Sequence, residues 1–189
     1  MRSIVWSIAL VSLFLAGLPV HAGETINMAA VKNKVTIDLR KDQSSKNLFM
    51  VIFFARQPVP EKESKVGHAY AATLEFQDDT NTFIETGVFG LYPKEKAWHL
   101  GMFPGQVDLT ELDAKPNSAL LVWINKAEYE KALSVRSKWE RKGTWQALQG
   151  DCVSMMVEVA NAVGLKVPPR NQNLLPSNFL LNLVKLNKI

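Results

Sequence analysis

The sequence predicts an α+β protein in which an antiparallel sheet packs against helices. Two observations predict this class. Segments with the alternating or continuously apolar pattern of strands fill the chain up to residue 125, and segments with helical periodicity follow them. Strands that precede the helices, instead of alternating with them, favour a segregated α+β arrangement over a doubly wound one.

Composition sets the broad class of the protein. The chain has 189 residues, 47% of them hydrophobic, and a formal net charge of +4. This apolar content excludes a disordered or collagen-like protein. The basic residues are scattered, whereas nucleic-acid binding usually requires a concentrated Lys/Arg surface, so we expect no nucleic-acid partner. The sequence shows no repeat or long linker, and residues 23–189 are therefore expected to form one domain.

Residues 1–22 have the features of a signal peptide. Arg2 supplies the positive start, residues 4–15 are almost continuously apolar, and Val20-His21-Ala22 offers a cleavage site before Gly23. The apolar run is shorter than the ~20 residues of a membrane-spanning helix. We therefore expect a periplasmic or secreted protein with no stable membrane span after cleavage.

Six segments before residue 126 have the pattern of strands. Two of them flank the polar sequence Gln-Asp-Asp-Thr-Asn and predict a hairpin. Another is continuously apolar, as a strand buried on both faces would be. In chain order the six are residues 35–40, 48–55, 67–76, 82–92, 106–112 and 119–125.

Three helices are predicted after the strands. The first has Asn125 as its N-cap and Gly143 just after its last turn. The second begins near Asp151 and stops at Gly164, and Ser177 is the expected cap of the last.

The remaining Cys and His residues limit the available chemistry. After residue 22 the chain contains one cysteine, Cys152, and two histidines, His68 and His99. A disulfide within the chain and a zinc cluster of thiolates and imidazoles are both excluded. The sequence also lacks phosphate-binding glycine loops and EF-hand loops, so we expect no cofactor and no metal. His99 is expected to be an ordinary loop or surface residue.

Cys152 lies at the expected start of the second helix. The positive end of the helix dipole and the free backbone N–H groups there favour a thiolate, which is the nucleophilic form. The same N–H groups are suited to stabilise an oxyanion. The alternative is a small buried hydrophobic residue, which is common for a free cysteine.

His68 is the candidate general base. In a strand it shares a face with Tyr70, and an imidazole at an apolar cleft can accept a proton from a thiol. A third polar group would orient the imidazole, and Glu85 on the following strand is the first candidate. Thr86 and Glu75 remain open as alternatives for this group. A structural role for His68 and a solvated strand position for Glu85 are the competing interpretations.

Several short motifs resemble those of one family. They are Gly67-His-Ala-Tyr70, Phe89-Gly-Leu-Tyr-Pro93, residues 145–153 around Gly150-Asp-Cys152, and Val163-Gly-Leu165 with Pro168. With them the chain resembles the circularly permuted papain-like (NlpC-like) cysteine hydrolases, which include the YiiX/YaeF-like proteins and place a histidine strand before a cysteine helix, as this chain does. The resemblance spans roughly residues 65–180.

The resemblance implies a permuted papain-like fold and a function. Cys152 would be the nucleophile, His68 the base and Glu85 the third polar residue of an exported hydrolase. It would cleave an amide bond through a thioester, with a peptide or cell-wall (peptidoglycan) substrate. The alternatives are a lipid acyltransferase or esterase of the retinol-acyltransferase-like branch and a non-catalytic binding protein on the same scaffold. A monomer is the simplest form consistent with the sequence.

One position departs from the family pattern. Many members have Asn before the cysteine, where this chain has Asp151. A capping role would direct its carboxylate at backbone donors, whereas a carboxylate aimed at the sulfur would raise the thiol pKa and weaken the nucleophile.

Overall fold

The computed structural model describes residues 18–20, 24–26, 28, 31–56, 67–77, 82–95, 101–108 and 116–188. Strands precede helices in this part of the chain, which confirms the α+β class. The strands are β1 (Leu18–Val20), β2 (Glu24–Ile26), β3 (Asn33–Asp38), β4 (Asn47–Arg56), β5 (His68–Gln77), β6 (Thr82–Pro93), β7 (Met102–Asp108), β8 (Ser118–Ile124) and β9 (Thr144–Gln146). The helices are α1 (Lys126–Lys142), α2 (Cys152–Ala162) and α3 (Pro176–Asn187), with a 3₁₀ turn at Arg170–Gln172.

Seven of the described strands form one sheet, in the order β3-β8-β4-β5-β6-β7-β9. The prediction of an antiparallel sheet is wrong at one edge, where β3 runs parallel to β8. The reason is topological. The two strands are far apart in sequence, so no tight hairpin forces them to run in opposite directions. The other pairs in this sheet are antiparallel.

The central strand β4 contributes to two apolar clusters, one on each face of the sheet. Phe49, Val51 and Phe53 pack with the three helices. Met50 and Ile52 lie in the cluster on the other face. Alternate side chains of a strand point to opposite faces, so the uninterrupted apolar sequence of β4 reflects burial on both. We refer below to the helix face and the far face of the sheet.

Most predicted strand positions are confirmed, with differences at their ends. The segment predicted to begin at residue 106 begins at Met102 in β7. The connection at residues 57–66 and positions 109–112 lie outside the described residues. Strand β9 was not predicted because three residues are too few to show a period.

The helix ends follow the sequence except at the start of α3: Asn125 is the N-cap of α1, and Gly164 directly follows the C-cap of α2. Gly143 closes α1 in the left-handed conformation, with φ 61°. Asp151 caps α2. The prediction that Ser177 caps α3 is wrong, because Pro176 occupies the first turn and Leu175 is the N-cap. Proline fits that place because the first-turn N–H has no partner within the helix.

The predicted signal peptide lies largely outside the described residues. Within it, the backbone of Leu18–Val20 pairs antiparallel with that of Glu24–Ile26. In the part of the chain that the structure describes, no helix is long and apolar enough to cross a membrane.

Candidate functional site

The sheet forks where β5 begins. Strand β6 pairs with β5 up to Ala71 and Phe89, and from Gly90 onward it pairs with β7. The first residues of β5, including His68 and Ala69, therefore lie beyond this pairing with β6, although β4 still covers their other edge. On the side of β5 that β6 has left, the backbone of these first residues can be contacted by another secondary-structure element.

The N-terminus of α2 meets β5 at this fork. The backbone N–H groups of Ala69 and Val153 lie close enough to the sulfur of Cys152 to lower its pKa. Ala69 directly follows His68, so the thiol lies against the backbone of the residue next to the candidate base. Part of the Cys152 residue is exposed, but its sulfur is enclosed, and the side chain packs against the cluster on the helix face.

Asp151 caps α2, and its carboxylate accepts hydrogen bonds from groups other than the thiol. Its Oδ1 accepts hydrogen bonds from the backbone N–H of Ser154 and from that residue's hydroxyl, both at 3.0 Å. Oδ2 accepts the N–H of Leu148 at 2.8 Å and Nη2 of Arg170 at 2.6 Å. Of the two arrangements open for this carboxylate, the structure has the capping one.

The thiol is nevertheless less acidic than expected. Burial, followed by the negative charge of Asp151, raises the pKa of Cys152 to about 12, against the lowering effect of the Ala69 and Val153 N–H groups and of Arg170. The expectation of a thiolate favoured by the helix N-terminus is therefore wrong for this conformation. The nearby N–H groups and the partial positive charge of the helix end do not offset the loss of solvent around the sulfur.

His68 lies on the far face of the sheet. Its ring stacks on Tyr92 with centroids 4.0 Å apart and lies 6.0 Å from the ring of Tyr70, which belongs to the far-face cluster. A Cβ at Gly90 would lie 2.6 Å from Nε2 of His68. Glycine at this position is what allows the imidazole to lie directly on the backbone of β6.

The imidazole is neutral in this environment. His68 is 5% exposed, and burial, with a smaller contribution from the positive charge of Arg56, lowers its pKa to about 3. Arg56 is the residue opposite His68 in the pairing of β4 with β5. At neutral pH both the thiol and the imidazole are therefore uncharged.

The structure thus brings Cys152 to the strand of His68 but places the two side chains on different faces. The sulfur contacts the backbone from the helix side, while the imidazole stacks on Tyr92 on the far side. The expectation from sequence that His68 shares a face with Tyr70 is confirmed. That shared face is directed away from α2.

The third group predicted from sequence lies far from the imidazole. Glu85 pairs with Glu75 and Thr86 with Leu74 in the register of β5 and β6. Glu75 is seven positions along β5 from His68, roughly 23 Å in an extended strand. The hairpin therefore carries all three candidates away from the histidine end, and the prediction that one of them orients the imidazole is wrong for this register.

Sequence reasoning missed two charged residues at the site. Arg170 follows a Pro-Pro pair, and no sequence pattern links it to Asp151. Arg56 is the last residue of an apolar strand, and the simplest interpretation of an arginine at that position is a side chain in solvent. Only the strand register and the loop path place them beside the candidate residues.

Two further features of the described residues bear on ligand binding. No group of three or more His, Cys, Asp or Glu residues there could hold a metal ion. A surface depression of about 210 Å³ lies at the far end of β4 from Arg56, lined in part by Arg40, Asn47 and Asn125.

Comparison of the chain with protein-family models, with curated proteins and with solved structures finds no match.

Proposed function

We propose that this protein is an exported thiol hydrolase that cleaves an amide bond with Cys152 as nucleophile and His68 as base. The observation that carries the proposal is the closeness of the sulfur to the backbone N–H of Ala69, the residue next to His68. The first residue of a helix is also where free N–H groups are available to a developing oxyanion.

The reaction starts from two neutral groups. The imidazole accepts the thiol proton as the sulfur attacks the carbonyl carbon, and the imidazolium then gives this proton to the leaving amine. Water next attacks the thioester with the imidazole as base, which releases the carboxylic acid and restores the thiol. In this structure the two side chains lie on different faces of the sheet, so the proposed proton transfer requires His68 to rearrange at the fork, where β6 has left β5.

The substrate proposed for this reaction is a peptide of the bacterial cell wall, in the periplasm or outside the cell. The apolar pattern before Gly23 supports export. The lipid branch has less support, because Phe179, Leu180 and Leu183, the apolar residues of α3 that could otherwise contact a membrane, are buried in the core.

A second candidate is a non-catalytic binding protein on the same scaffold. The specific observation in its favour is that the pKa of the thiol is raised and that of the imidazole is lowered. Both shifts oppose the thiolate–imidazolium pair that many thiol hydrolases use.

One experiment separates the two candidates. The wild-type protein, Cys152→Ala and His68→Ala are incubated with purified cell wall, and released peptides are measured, with His99→Ala as the matched histidine control. The hydrolase predicts release by wild type and His99→Ala and at least a ~100-fold loss in the other two variants. Mass spectrometry should also detect an acyl adduct on Cys152. Wild type that binds the peptides without releasing any contradicts the hydrolase and supports the binding protein.

A further inference from the structure

Arg56 differs from the other partly buried arginines of the described residues because it lacks a carboxylate partner there. Arg40, Arg136 and Arg170, which are partly buried like Arg56, each have a carboxylate oxygen within 2.9 Å. Arg56 has no such ion pair within the described part of the chain, and its Nε is buried with no hydrogen-bond partner there. A partly buried cation without a counter-charge is costly, and a bound anion would offset this cost.

The cation lies beside the candidate base. Arg56 is opposite His68 in the strand register. Phe54, two residues before Arg56, stacks on Tyr70 on the far face, so the side chain of Arg56 shares that face with the imidazole. The guanidinium is also close enough for its positive charge to lower the pKa of His68.

The side chains around Arg56 indicate which chemical class of ligand would bind there. A guanidinium presents a planar set of donors that matches a carboxylate, and the stacked rings of His68 and Tyr92 add an apolar wall. A peptide that carries a carboxylate near the scissile bond satisfies both features.

We propose that Arg56 binds a carboxylate group of the substrate beside the imidazole of His68, so that the protein selects peptides with a free carboxylate. This inference rests on the proposed function and names the substrate class of the same site. It has a further consequence. A bound carboxylate offsets the charge of Arg56, which raises the pKa of His68 and makes it a stronger base when substrate is present.

The test measures binding independently of catalysis. N-acetyl-alanyl-alanine and its C-terminal amide are titrated into the Cys152→Ala protein, and the ring proton signals of His68 are followed by NMR. We expect the carboxylate peptide to bind about tenfold more tightly than the amide, the ratio expected of one charge-assisted hydrogen bond. The carboxylate peptide should also raise the pKa of His68.

Three further variants in the Cys152→Ala background identify the group responsible. Arg56→Gln should abolish the preference for the carboxylate, Arg56→Lys should retain part of it, and Arg141→Gln, at an exposed arginine of α1, should leave it unchanged. Equal binding of the two peptides, binding of neither, or a preference that survives in folded Arg56→Gln overturns the proposal. Selective binding of the carboxylate by a protein whose wild type cleaves nothing leaves the subsite standing and contradicts only the hydrolase.

Discussion

Asp151 and Arg170 form a short ion pair, 2.6 Å between Oδ2 and Nη2, directly beside Cys152. The side chains are 10% and 18% exposed, so solvent screens the pair weakly. The same carboxylate caps α2 through Ser154. The side chain of Asp151 therefore links the loop after α2 to the first turn of that helix. This link helps to position Cys152 against β5.

Replacing Asp151 with alanine should destabilise the protein by about 3 kcal/mol, because the change removes a helix cap and leaves Arg170 without its partner. Urea denaturation monitored by circular dichroism measures this loss. Glu140→Ala is the control, since it breaks the more exposed pair with Arg136 and should cost under about 1 kcal/mol. Equal losses in the two variants would contradict the structural role of the Asp151–Arg170 pair.

Asp151→Asn should make Cys152 more reactive. Asparagine retains an oxygen for the cap but removes the negative charge that raises the thiol pKa, while the lowering effect of Arg170 remains. The pH at which iodoacetamide alkylation reaches half its maximal rate should therefore fall relative to wild type. Because the chain has one cysteine, the reaction reports on this thiol alone. An unchanged or higher midpoint would show that the charge of Asp151 does not act on the sulfur.

The low pKa of His68 should make the protein less stable in acid. The unfolded chain binds a proton at His68 below about pH 6.5, whereas burial keeps the folded group neutral down to about pH 3. Unfolding takes up a proton between these values, so the stability present above pH 6.5 is lost as the pH falls through this window. At pH 4.5 the loss from this group should reach about 3 kcal/mol relative to neutral pH.

Urea denaturation at pH 7 and pH 4.5 tests this linkage. His68→Gln should lose less stability between the two pH values than wild type, because it no longer carries the titrating group. His99→Gln retains His68 and should behave as wild type does. The same pH dependence in all three proteins would mean that His68 does not titrate in this window.

Gly90→Ala should displace the imidazole. The new Cβ would lie 2.6 Å from Nε2 of His68 and 3.0 Å from Cβ of Tyr70, so the ring has to move. We expect a loss of about 1–3 kcal/mol in stability and a shift of the His68 ring signals in NMR. Gly87→Ala on the same strand is the control, since its nearest neighbour is the flexible end of Arg136 at 3.1 Å. Unchanged His68 signals in Gly90→Ala would contradict the observed ring position.

Two leucines of α3 should respond differently to truncation. Leu183 is fully buried and Leu181 is 53% exposed. Leu183→Ala should therefore cost about 2–5 kcal/mol, whereas Leu181→Ala should stay within about 0.5 kcal/mol of wild type. Denaturation midpoints measure both. A large loss in Leu181→Ala would indicate that this exposed face is covered in solution.

The sequence by itself determined the α+β class, most strand positions, the end of α1 at Gly143 and the start of α2 near Asp151. These features depend on local patterns, namely side-chain alternation, apolar runs and the conformational preferences of a few cap residues. The face that His68 shares with Tyr70 belongs with them, because alternation along a strand is also local.

Only the tertiary structure decided what surrounds the candidate residues. The sulfur of Cys152 is held by the backbone of Ala69, the hairpin register carries Glu85 away from His68, and Arg56 and Arg170 lie beside the two candidate residues. Each of these relationships joins residues that are distant along the chain, through strand register, a loop path or helix docking. Burial likewise depends on what packs around a group, so the directions of the pKa shifts of Cys152 and His68 emerge only from the folded structure.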